Sequence, residues 1–161
     1  MNYLEQLKSY IDENEFTDET FFISMGGVSQ DSIRMAEKSL AVNFTNEYRK
    51  FLEQCGNVNI ADQCISGLYT ESDNEASTGS VVADTKLYRK QHSLPQEYIV
   101  VHCYVDGGES VLVQKSDKRD TSDSPIYYVD FYQDAPLKFQ KQYDSFAQYF
   151  QEFLEDNAGM M

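Results

Sequence analysis

At 161 residues, 41% hydrophobic and 14% aromatic, the chain is long enough for one domain with a real core and too apolar to be disordered. Its 27 acids against 13 bases give a net charge of −14, which disfavours direct nucleic-acid binding, because phosphate contacts need Lys/Arg clusters. No run reaches the roughly 18–20 apolar residues of a membrane span.

The N-terminus, Met1-Asn2-Tyr3-Leu4-Glu5, has no basic stretch leading into an apolar core and does not read as a signal peptide. Three cysteines, Cys55, Cys64 and Cys103, are odd in number and lack metal-ligand spacing, so free thiols in a reducing cytoplasm are expected. The charge is unevenly placed. Residues 58–85 carry five acids and no base, and both ends of the chain are acidic, whereas 32–57 and 86–119 are close to neutral. Such blocks keep a protein soluble and steer cationic partners towards it.

The periodicity predicts a first helix over 3–13, with Tyr3, Leu4, Leu7, Tyr10 and Ile11 on one face. Phe21-Phe22-Ile23, ending at Gly26-Gly27, reads as a loop or a small strand. A second helix carries Ile33, Ala36, Glu37 and Leu40, with Ser29 or Asp31 as its cap. After an extended link, Val42–Phe44, a third helix capped by Thr45 presents Tyr48, Phe51, Leu52 and Cys55 at i, i+3, i+4 and i+7, and Gly56 suits its exit.

Beyond Asn57 a strand is expected over 65–69, then a polar, flexible loop over 70–80, then a short helix or irregular turn over 81–89. Strands follow at 98–105, 110–115 and 126–132, the first two joined as a hairpin through Asp106-Gly107-Gly108-Glu109. The last helix, 145–155, has Phe146, Tyr149, Phe150, Phe153 and Leu154 at helical spacing. Helices at both termini around antiparallel strands predict an α+β fold, a single domain over 1–161 with the terminal helices packed on one face of the sheet.

Little in the chain suggests chemistry. His102-Cys103 invites a thiol-nucleophile reading, but strand neighbours point to opposite faces, so a core cysteine beside a surface histidine is expected. The 106–109 turn lacks the Lys and Ser of a phosphate loop and the spacing of a calcium loop. Glu71, Asp73 and Glu75 offer oxygens to a divalent cation, though without preorganisation, and His92 has no partner at metal-ligand spacing. The expectation is a protein with no catalytic residues, no metal and no cofactor.

One stretch is more specific than its composition. Residues 32–57, with Ile33, Glu37, Leu40, Tyr48, Phe51-Leu52 and Gly56-Asn57, resemble the signature of the SUKH superfamily (Smi/Knr-like). The order continues through Val81–Thr85, Leu94-Pro95 with Tyr98–Val101, the 106–112 glycine turn, Pro125–Asp130, and Ser145-Phe146 with Phe153-Leu154, so the resemblance spans about 29–155. Thr45 stands where the family usually has Pro, and Cys55-Gly56-Asn57 replaces Asn-Gly-Gly. Many bacterial members of that superfamily are immunity proteins. The resemblance therefore implies a cytoplasmic protein that binds a cognate toxin domain, a basic nuclease in the first instance, and covers its active-site groove.

On that reading the contact residues are expected among the acids and tyrosines Asp62, Tyr69, Glu71, Asp73, Glu75, Asp117, Asp120, Asp123, Tyr127, Asp130, Tyr132 and Asp134. The partner is a protein rather than nucleic acid or membrane, and the chain is expected as a monomer or weak homodimer. The alternative is a scaffold or regulator of the same fold in envelope or stress signalling, with no toxin partner.

Overall fold

The computed structural model describes residues 2–14, 21–23, 27–60, 63–70, 72–104, 110–131 and 137–156. Helix α1 (Tyr3–Asn14) is followed by strand β1 (Phe21–Ile23), helices α2 (Gln30–Leu40) and α3 (Asn46–Gln54), and the short strands β2 (Val58–Ile60) and β3 (Gln63–Ile65). Helix α4 (Val81–His92), strands β4 (Tyr98–Tyr104), β5 (Ser110–Lys115), β6 (Ile126–Asp130) and β7 (Phe139–Tyr143), and helix α5 (Phe146–Asp156) complete the chain. The strands form one antiparallel meander in the order β1 to β7. The hairpin expected at 106–109 joins β4 to β5, and its turn lies outside the described residues.

Helix starts follow the side chains that can accept from free N–H groups. Ser29 caps α2 through the N–H of Ser32, Thr45 caps α3 through Tyr48, and Ser80 caps α4 through Val82 and Ala83. The main cluster joins both terminal helices to α2 and α3. Tyr3 of α1 stands edge-on to Phe150 of α5 with ring centroids 4.9 Å apart, and Phe51 of α3 lies 5.3 Å from Phe146. Ile60, Ile65, Ile99, Val101, Leu112 and Ile126 supply the sheet's contribution to this face.

The opposite face of the sheet is covered too. Val100, Val111, Val113 and Val129 meet Tyr88 of α4, Leu94 and Phe131 in a second cluster. Helix α4 starts in the first cluster with Val81 and Val82 and reaches the second through Tyr88.

Several local expectations are revised. The 65–69 run is not one strand: β3 ends at Ile65, and Gly67 makes only an isolated bridge to Ser80. Residues 81–92 form a full helix, and β2 and β7 are strands that the periodicity does not reveal. The expected surface histidine is buried, with His102 only 6% exposed. A bulge in β4, where Val100 pairs with Val113 and His102 with Leu112, turns His102 onto the helical face beneath Tyr149 and Phe153.

Candidate interaction surface

Residues 66–80 leave the sheet after β3 and return at α4, and the signature residues hold them there. Tyr48 donates its hydroxyl to the carbonyl of Ser66 at 2.6 Å. Burial, and then the nearby Asp84 carboxylate, raise the Tyr48 pKa well above the ordinary tyrosine range, so that donor stays protonated. Asn57, fully buried, donates its side-chain amide to the carbonyls of Ile65 at 3.2 Å and Gly79 at 3.0 Å. Asp84, also buried, accepts from the Ser66 hydroxyl at 2.9 Å and the Gly79 N–H at 3.3 Å. Glu37 ties α2 to α3, accepting from the Phe44 N–H at 2.9 Å and from Arg49 at 2.7 Å.

The loop expected to be flexible has its own bonding. Asn74 pairs with the backbone of Tyr69 in both directions, at 2.9 and 3.0 Å, and its carbonyl accepts from the Ser80 hydroxyl at 2.6 Å. The Asp73 carboxylate accepts from the Glu75 N–H at 3.0 Å, and the Asp73 carbonyl from Ala76 and Ser77. Glu75 bridges two helices, accepting from Ser39 of α2 at 2.6 Å and Lys86 of α4 at 2.5 Å. The Lys86 and Ser39 bonds hold its carboxyl below the usual range.

Between α2, this loop and α4 lies a cleft of about 260 Å³ lined by Ser32, Met35, Ala36, Leu68, residues 72–75 and Val82. Its apolar floor of Ala36, Leu68 and Val82 is buried, while Met35 at its lip is 71% exposed. Asp73 and Glu75, both exposed, stand on the opposite rim. A larger groove of about 720 Å³ runs between α1 and α5, with Glu5, Glu13 and Glu155 among its lining residues and Tyr10 and Leu154 in its wall.

The expected contact residues fall into separate groups. Tyr69, Asp73 and Glu75 belong to the 66–80 segment; the Tyr69 hydroxyl donates to the Thr78 carbonyl, so it closes the loop as well as lining it. Asp117 and Asp120 are exposed on the connection from β5 to β6, Asp117 lying 3.8 Å from Lys115. That connection backs onto α3, where the N–H groups of Asn46 and Glu47 donate to the carbonyls of Thr121 and Ser122. Asp123 is half-buried and points inward, accepting from Phe146 N–H at 2.9 Å, Ala147 N–H at 3.2 Å and the Gln114 amide at 3.1 Å.

Tyr127 lies on the other face of the sheet, edge-on to Tyr98 and Phe139, and Asp130 is half-buried at the end of β6. Asp62, Glu71, Tyr132 and Asp134 lie outside the described residues. Met35 is not among the expected contact residues; its place in the sequence off the Ile33, Ala36 and Leu40 stripe is the signal that marks it as exposed.

Among the described residues the thiols of Cys55 and Cys64 and the imidazole of His102 are buried. Burial pushes the Cys55 thiol up to about 12, which keeps it protonated. His102 sits 2.7 Å from the Tyr149 hydroxyl and 2.9 Å from the Gln63 side-chain oxygen, and burial lowers its pKa to about 4. With Nε2–H donating to Gln63, Nδ1 accepts from Tyr149, and the neutral ring spans β4, β3 and α5. Among the described residues no three His, Cys, Asp or Glu side chains are grouped so as to hold a metal ion, and no helix is long and apolar enough to cross a membrane.

Comparison with curated proteins gives no match. A family model does match: SUKH_5, described as SMI1-KNR4 cell-wall, aligns with residues 2–156, taking in α1 as well as the segment from α2 onward. With nearly its whole length covered, the chain belongs to the SUKH family.

Proposed function

We propose that the chain is a non-catalytic, cytoplasmic immunity protein that binds a cognate basic toxin domain and covers its active-site groove. The observation that carries this reading is the acid-rimmed cleft, in which Asp73 and Glu75 are held by a bonded loop beside an apolar floor. A surface already ordered before binding loses less conformational entropy on association. Carboxylates facing a basic groove raise the association rate and compete for the sites that would hold phosphate. Family membership supports a protein-binding role, and the net charge of −14 supports a cationic partner.

The test is a search of the gene's neighbourhood for a secreted toxin and co-expression with its toxin domain, followed by affinity measured at rising salt. Affinity should fall steeply with ionic strength, because exposed charge pairs are screened. A complex indifferent to salt would refute the electrostatic mechanism, and no complex would refute the immunity role. The cell-wall description of the family supports a second reading, an interaction scaffold in envelope signalling, which predicts a stable complex with a housekeeping protein instead.

A further inference from the structure

We infer that the cleft between α2, residues 72–75 and α4 seats a single aliphatic side chain of the partner protein, flanked there by a lysine or arginine. This rests on the proposed binding role and adds where the anchor sits and what it is made of. The floor of Ala36, Leu68 and Val82 offers no charge, and about 260 Å³ is ample for a leucine or methionine side chain, since a cavity of roughly 150 Å³ admits benzene. Met35 stands at the lip, unbranched and adaptable, ready to fold over whatever enters.

The charges about the cleft are not balanced. Asp31 is paired with Arg34, and Glu75 with Lys86, but among the described residues no cation pairs with Asp73. An incoming basic residue beside the apolar anchor completes that pair, whereas an acidic one meets a fixed carboxylate. The loop's bonds through Asn74 and Glu75 fix the width of the cleft, so the occupant must fit the site as built.

The experiment uses the full chain labelled at methionine methyl groups and backbone amides, titrated with acetyl-Arg-Leu-Arg-amide and, separately, acetyl-Glu-Leu-Glu-amide. The cationic peptide should shift the Met35 methyl and the amides of Leu68, Asp73, Glu75 and Val82 along one saturable curve. The acidic peptide should leave them in place. Asp73→Asn should weaken the cationic peptide about two- to fivefold, as expected for one exposed charge pair. Met35→Glu should abolish the shifts. Leu87→Ala should change nothing, since Leu87 is the other exposed large hydrophobic among the described residues but lies about 140° round α4 from Val82.

Shifts absent, scattered over the surface or equal for both peptides would overturn the inference. So would a Met35 signal that moves on diluting the protein alone, which would mark a second copy as the occupant. The toxin domain separates this claim from the one beneath it. A complex that forms with unchanged affinity in Met35→Glu refutes the cleft and leaves the immunity role standing. Saturable peptide binding without a toxin complex does the reverse.

Discussion

Asp123 stands among the acids that the sequence offers as partner contacts, yet it serves the N-terminus of α5 from a loop 23 residues earlier. Its carboxylate accepts from the N–H groups of Phe146 and Ala147, from the Gln114 amide, and from the N–H of Ser124 at 2.8 Å. Removing a helix cap costs typically about 1 kcal/mol, and the loss of a negative charge at a helix N-terminus adds up to about 1 kcal/mol. The Gln114 amide keeps its bond to the Ser124 carbonyl at 2.8 Å, which limits the damage on that side. Asp123→Ala should therefore lose about 1–2 kcal/mol. Asp123→Asn, which retains one oxygen but no charge, should lose about half as much. Urea unfolding followed by circular dichroism gives the free energies, and hydrogen exchange at Phe146 and Ala147 should quicken selectively. A variant within about 0.5 kcal/mol of wild type would refute the capping role. If that variant also bound the proposed partner less tightly, Asp123 would return to the contact surface.

Phe51→Ala empties the centre of the aromatic cluster formed with Tyr3, Tyr48, Phe146 and Phe150, and should cost about 3–5 kcal/mol by urea unfolding. Gly67→Ala would set a Cβ 1.9 Å from the Gly56 carbonyl oxygen, so backbone must move. It should cost more than about 2 kcal/mol, read as a lowered thermal midpoint; an unchanged midpoint would mean the two segments are not in contact. His102 titrates near 4 in the fold and near 6.5 when unfolded, so protons bind the unfolded chain first. Its stabilising effect is complete above pH 6.5 and is lost as the pH falls towards 4. Between pH 6.5 and 5 wild type should lose about 1.5 kcal/mol more than His102→Gln, and equal slopes would place His102 in water.

The parts of the fold that the sequence reveals are those governed by local chemistry. Ser29 and Thr45 cap helices because each hydroxyl meets an N–H three residues on, and the stripes of α3 and α5 are long enough to repeat. The short strands escape notice for the opposite reason. Three residues, as in Val58–Ile60, cannot display alternation, and β7 reads Phe-Gln-Lys-Gln-Tyr, polar enough to pass for a loop. Such strands exist because neighbouring strands pair with them, a long-range cause that no window of sequence contains. Alternation puts His102 on the surface because it assumes one wet face, whereas β4 is buried on both sides and carries a bulge.

The same distinction governs the candidate surface. Tyr48 on α3 and Asn57 just beyond it belong to the stretch that resembles the family signature, yet their polar atoms face inward, holding the carbonyls of Ser66, Ile65 and Gly79. What they secure is the segment that displays Asp73 and Glu75. Replacing Tyr48 with Phe would leave the Ser66 carbonyl without that donor in a buried site, a cost of about 1–3 kcal/mol. The damage would then be passed to the loop. Loss of partner binding in such a variant would not make Tyr48 a contact residue. Affinity must be compared between variants of equal stability, and on that footing Asp73 and Met35, whose side chains reach solvent, are the positions where a change of partner would be written. The signature residues serve the scaffold, and the exposed residues of the cleft can be changed without disturbing those bonds.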